Sequence, residues 1–223
     1  MKTRPSFSVK NESCKLVAGL AVLMLGLAAG AQTHYAAQPG GASVKIDGTS
    51  TAHDWEMEGH IISGFLELPA GVSWDASQTS IPGLQGNSLH ATVHARIPIT
   101  CMHSKAEHMP EVMDRLTQEH LKADQFPRIE YVLKEMTFKG PHAPGKPFEF
   151  DTKGDLAIAG KTNQVSFPVT IELQDAGKIK IDATVPLKMT AFGVDPPAPN
   201  IGLGLMRCGD DVKIIISWTL VKR

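Results

Sequence analysis

The sequence predicts an all-β domain of about eight antiparallel strands, closed as a barrel or folded as a sandwich, with a single amphipathic helix. Three observations predict it. From position 43 onward, hydrophobic residues recur mainly with period two, and successive side chains on a strand face opposite ways, so each run has a dry and a wetter side. Gly- and Pro-rich stretches punctuate the runs, and no helices alternate with them to cover the dry faces, which leaves a sandwich or a closed barrel. Finally, 223 residues with 42% hydrophobic content suit one large domain that buries a core without metal or disulfide staples.

The chain opens with Lys2, Arg4, Lys10 and Lys15, then an apolar stretch over 16–29 that exits at Ala29-Gly30-Ala31. A cationic flank, a short apolar core and small residues at the exit are the pattern of a signal peptide, here 1–31, and the stretch is short for a membrane span. A buried core helix is the structural alternative. Residues 32–42 then read as a flexible lead-in. Export bears on the cysteines: with Cys14 removed, Cys101 and Cys208 form an even pair in an oxidising compartment. They are expected to form a disulfide, with two free thiols as the alternative.

The clearest strands follow. Leu89, Ala91, Val93, Ala95, Ile97 and Ile99 alternate with polar neighbours; so do Val165 to Leu173, Ile179 to Leu187, and Val212 to Leu220. Weaker candidates are 43–47, 53–68, 129–138 and 148–159. Gly160-Lys161-Thr162-Asn163-Gln164 joins two strands as a tight hairpin. Loops rich in Pro and Gly fall at 139–147 and 194–211. Between them, Met109, Val112, Met113, Leu116 and His120 recur at spacings of three and four, predicting one helix of about three turns. Pro110 suits its first turn and Phe126-Pro127 closes the segment. Ser104 and Glu107 have capping-box spacing, with a local turn as the alternative because Pro110 follows so closely.

Several stretches, in order, resemble the YceI-like lipid- or polyisoprenoid-binding proteins of bacterial envelopes. They are 43–55 (SVKIDGTSTAHDW), 113–131 (MDRLTQEHLKADQFPRIEY), 156–169 (LAIAGKTNQVSFPV), 189–197 (MTAFGVDPP) and Gly209-Asp210-Asp211-Val212. The resemblance spans 43–223. It implies an antiparallel lipocalin-like β-barrel that is periplasmic after export and filled by a long apolar amphiphile. On that reading the lining consists of Ile97, Tyr131, Leu133, Phe148, Phe150, Phe167, Val169, Ile171, Ile181, Val185, Ile214, Ile216 and Trp218. Met109, Met113 and Leu116 would stand at the lid or mouth. Without the resemblance, the same residues read equally well as an ordinary filled core.

Other chemistry is sparse. Lys and Arg number 22 against 23 Asp and Glu, with no basic run, so nucleic acid is not an expected partner. No apolar run is long enough to span a membrane as a helix, and no cofactor motif, nucleophile elbow or phosphate loop appears. Pairing with a second copy of the chain stays open. His53-Asp54-Trp55 invites an acid/base reading, but neighbours on one strand face opposite ways. It reads better as a corner, with Trp55 buried and Asp54 binding turn amides. The nine histidines pose an alternative function, a periplasmic metal- or haem-binding module. His90 and His94 lie too far apart on one strand to share an ion. His103, Glu107 and His108 would need a further ligand such as His60 or His142.

Overall fold

The computed structural model describes residues 32–198 and 206–223; the segment 1–31, expected to be a signal peptide, lies outside them. Ten strands follow in order: β1 (Thr33–Ser50), β2 (Trp55–Gly59), β3 (Ser63–Leu68), β4 (Thr92–Pro98), β5 (His103–Ser104), β6 (Arg128–Phe138), β7 (Phe148–Ile158), β8 (Lys161–Gln174), β9 (Lys178–Lys188) and β10 (Cys208–Lys222). One α-helix, α1 (Pro110–His120), lies between β5 and β6.

Every strand pairing is antiparallel, and the order β10-β9-β8-β7-β6-β4-β3-β1 closes through β1–β10 into an eight-stranded barrel. β1 makes the closure possible. Residues 35–37, 42–48 and 50 pair with β10 on one side; on the other, residues 33–36 pair with β3 and residues 44–48 pair with β2. A register shift between Ala37 and Ala42 lets this 18-residue strand bend from one partner to the next. The segment 32–42 is therefore barrel wall, not a flexible lead-in. Flanking composition hid it: Gln38-Pro39-Gly40-Gly41 reads as a loop, yet it is a bulge within a paired strand. The small strands β2 and β5 extend from β1 outside the closed ring.

Two turns show local chemistry setting the path. Ile158 pairs with Lys161, so the hairpin loop is Ala159-Gly160, with φ of 51° and 82°. Positive φ at both positions is the two-residue turn whose twist matches the strands. The turn thus sits one residue earlier than the Gly-Lys-Thr-Asn-Gln reading, and residues 161–164 are already strand. Gly64 has φ of 137° and its absent Cβ would run into the carbonyl of His94 on β4, so only glycine lets β3 and β4 approach here.

One end of the barrel is packed solid by rings. Phe138, Phe148 and Phe150 meet at centroid distances of 5.5–6.1 Å, Trp74 lies against Tyr35, Phe148 and Phe150, and His142 stacks 3.9 Å from Phe148. Phe148 and Phe150, expected in the lining, belong to this buried cluster and do not border the chamber described below.

Cys101 and Cys208 are unbonded, which corrects the expected disulfide. Cys101 ends a 3-10 turn (Ile99–Cys101) against Gly59, whose pair on β1 is Val44; Cys208 pairs with Ser50. Six residues of strand separate those two positions, roughly 20 Å, whereas a disulfide needs Cα atoms within about 7 Å.

Candidate functional site

The barrel interior tapers by side-chain size. The inward residues of β7 run Phe148, Phe150, Thr152, Gly154, Leu156 and Ile158. Large rings give way to a hydroxyl and a glycine at mid-barrel, and there a void opens. The Tyr131 ring lies across Gly154, where a Cβ would strike it. The chamber holds about 890 Å³ of empty space, counting its open side.

Eleven of the thirteen expected lining residues surround it: Ile97, Tyr131, Leu133, Phe167, Val169, Ile171, Ile181, Val185, Ile214, Ile216 and Trp218. They are joined by Ile62, Leu66, Val93, Ala95, Ile129, Met136, Thr152, Leu156 and Ala183, which complete the same period-two faces. The surface is almost wholly hydrocarbon. The Tyr131 hydroxyl and the Trp218 indole nitrogen are occluded in the wall, and burial pushes the Tyr131 phenol above its ordinary range.

A second chamber, about 650 Å³ counting its open side, adjoins the first, with Ile129 and Ile214 lining both. It lies beneath α1 and a 3-10 turn (Thr190–Phe192), and its walls include Trp55, Met57, Thr117, His120, Leu121, Lys188, Met189, Phe192 and Val194. Strand residues such as Ile46, Ile158, Leu187, Val212 and Ile214 supply part of its wall, but the period-two reading gives no access to the helix-end and 3-10 residues that complete it.

None of α1's residues is fully buried, and it is tied on near both ends. The Asp114 carboxylate accepts the Ser104 N–H at 2.6 Å and stands 2.9 Å from His103 Nδ1; at the other end His120 Nδ1 meets the Asp195 carbonyl at 2.9 Å. The face turned to the chamber is Thr117, His120 and Leu121, not Met109, Met113 and Leu116. Met109 is 54% exposed, in the left-handed conformation that starts the helix. No side chain caps that start; Ser104 Oγ instead accepts the Ala106 N–H, the local-turn alternative.

The 3-10 turn is held by Asp210, which accepts both the Thr190 N–H (2.8 Å) and the Thr190 hydroxyl (2.7 Å). These bonds hold the Asp210 carboxyl below its ordinary range. A depressed carboxylate lends stability above its unfolded pKa and loses it as pH falls through the folded one. Acidifying below the normal aspartate range should therefore loosen the turn, and Asp210→Asn should remove that pH dependence. Amide exchange of Thr190 followed against pH measures both.

At the His53-Asp54-Trp55 corner, Ser50 Oγ accepts the Ala52 and His53 amides, the role the sequence suggests for Asp54. His53 is exposed, with Nδ1 2.8 Å from the neighbouring Asp54 carbonyl. Trp55 lies half-buried over Gly48 and donates its indole N–H to the Thr49 carbonyl at 3.0 Å. The histidines are dispersed: His34 meets Glu67, His103 meets Asp114, and His94 meets Arg96 and Glu130. Among the described residues no three His, Cys, Asp or Glu side chains converge as a metal site. No helix among them is long and apolar enough to cross a membrane.

A family model described as the YceI-like domain matches residues 35–220. Among solved structures, a polyisoprenoid binding domain from Saccharophagus degradans implicated in plant cell wall breakdown is similar at 8% identity and TM-score 0.60, over 85% of this chain and 98% of that one. BcnA of Burkholderia cenocepacia is similar at 16% identity and TM-score 0.57, over 82% of this chain and 98% of that one. No curated protein matches the sequence.

Proposed function

The chain belongs to the YceI-like domain family, and from that premise we propose that it is an exported, non-catalytic binding protein holding a long apolar amphiphile, a polyisoprenoid or other lipid, inside its barrel. The observation that carries the reading is the unfilled interior: a hydrocarbon-walled chamber with a second one beside it, in a fold whose neighbour is a polyisoprenoid binding domain. Each methylene taken from water gains about 0.8 kcal/mol, so such a track retains a long chain without polar contacts. Export rests on the cationic, apolar and small-residue pattern of 1–31, which would place the barrel in the periplasm. The work done is sequestration or carriage, with no covalent step and no cofactor.

Native mass spectrometry and organic extraction of the protein purified from its own cell envelope test this directly. A co-purifying lipid of long chain is the expected result. Empty protein that also fails to take up added C40–C55 polyprenols overturns the proposal.

A further inference from the structure

The barrel wall starts almost flush with the expected signal-peptide exit. Small residues at Ala29 and Ala31 place the cut after Ala31, and β1 begins at Thr33. A single residue, Gln32, stands between the two. Beyond it the wall takes over at once. Thr33 pairs with Leu68 and His34 with Glu67 on β3, and the His34 carbonyl accepts the Arg223 N–H at 2.9 Å. Tyr35 is buried and stacks on Trp74. A cut within 33–37 would strip residues that pair with β3 and β10 and close the ring. The wall therefore sets the last position at which the leader can leave. Gln32 itself is exposed and lies outside the strand.

A glutamine in that position carries its own reagent. Once the bond before it is cut, its new α-amine and its carboxamide carbon can close a five-membered ring. An α-amine titrates nearer neutrality than a lysine, so part of it is uncharged and nucleophilic at ordinary pH. The amine nitrogen attacks Cδ, the Cδ–Nε2 bond breaks, and the carboxamide nitrogen leaves as ammonia. The product is a neutral lactam, and no oxidant, reductant or second substrate takes part.

Two features of the fold favour this fate. Exposure leaves the amine and the carboxamide of Gln32 free to meet without breaking a wall contact. Pairing from Thr33 onward protects the terminus from trimming, because a peptidase takes its substrate as an extended strand and Thr33 and His34 are already committed to β3.

We propose that Gln32 is a modification site: leader removal makes it the first residue, and it closes to pyroglutamate. The mature barrel then begins with an uncharged, peptidase-resistant end. This rests on the export reading above and is independent of what the barrel carries.

The test uses the full chain, expressed with its leader and purified from the cell envelope. Its intact mass should equal that of residues 32–223 less one ammonia, and Edman sequencing should be blocked. Treating the denatured protein with pyroglutamyl peptidase should restore sequencing, now starting at Thr33. Gln32→Asn alters an exposed residue outside the wall, and its shorter amide would have to close a strained four-membered ring. That variant should melt as the unaltered protein does and sequence freely from its first residue into Thr33, His34 and Tyr35. A chain that starts at Gln32 and keeps a free amine through days at neutral pH overturns the modification. A chain that starts at any other residue near the junction overturns the boundary, and the proposal with it, while leaving export standing. Protein retained in the cytoplasm with residues 1–31 still attached overturns the export reading itself.

Discussion

Replacing Ala183 by Trp should lower the affinity for a long polyprenol more than a hundredfold while leaving the melting temperature nearly unchanged. Ala183 is buried on β9, pairs with Val169 and Ile216, and with both of them lines the hydrocarbon chamber. In a packed core an added indole forces side chains off their rotamers and costs about 1–3 kcal/mol. For a domain of this size that is roughly 2–12 °C of Tm. Here the ring has a void to enter. What it displaces is ligand: expelling about four methylenes at about 0.8 kcal/mol each forfeits about 3 kcal/mol, more than two factors of ten. Fluorescence titration with a polyprenol and a thermal melt of the ligand-free variant read the two quantities separately. A large fall in Tm with affinity preserved would mean that the interior is filled and the ligand lies elsewhere.

The wall of this barrel is legible in the sequence because burial on one face of a strand imposes a period of two. Val93, Ala95 and Ile97 on β4, or Ile181, Ala183 and Val185 on β9, announce a shared inward face wherever they stand in the chain. Period alone is silent on volume. The void opens where Thr152 interrupts the large residues of β7, with the Tyr131 ring lying over Gly154, and a threonine and a glycine weaken the very pattern that reveals the strand. The first half of β1 was hidden for a related reason: its bulge carries loop-like residues although β3 and β10 pair around it. The second chamber is the least legible part. Trp55, His120 and Phe192 come from a corner, a helix end and a 3-10 turn, and what brings them together is closure of the barrel over 150 residues later, when β10 joins β1. The helix shows this in small. Its apolar stripe is a real feature of the sequence, but Asp114 and His120 fix its rotation by bonds to the backbone of Ser104 and Asp195, and those bonds turn Thr117 and Leu121 toward the chamber.

Phe150→Ala should act in the opposite sense to the tryptophan, with a large loss of stability and a longer tunnel. Phe150 is fully buried, packs on Phe138 at 5.5 Å and on Trp74 at 6.4 Å, and faces Val169 across the β7–β8 pair. Removing a buried Phe side chain costs about 3–5 kcal/mol, part transfer and part residual cavity. In a domain of this size that is about 10 °C of Tm. Val169 also lines the hydrocarbon chamber, so the space vacated lies next to the existing void. The ligand-free variant should melt early, and a polyprenol with one or two more isoprene units than the preferred one should restore more of the lost Tm than the preferred chain does, since binding stabilises in proportion to affinity. Calorimetric melts with a ladder of chain lengths make the comparison. Were Phe150 an ordinary lining residue in contact with ligand, the ligand-free melt would hardly move and every chain would simply bind less well. The early melt and the shifted length preference together identify the aromatic cluster as the stop that sets how long a chain the barrel accepts.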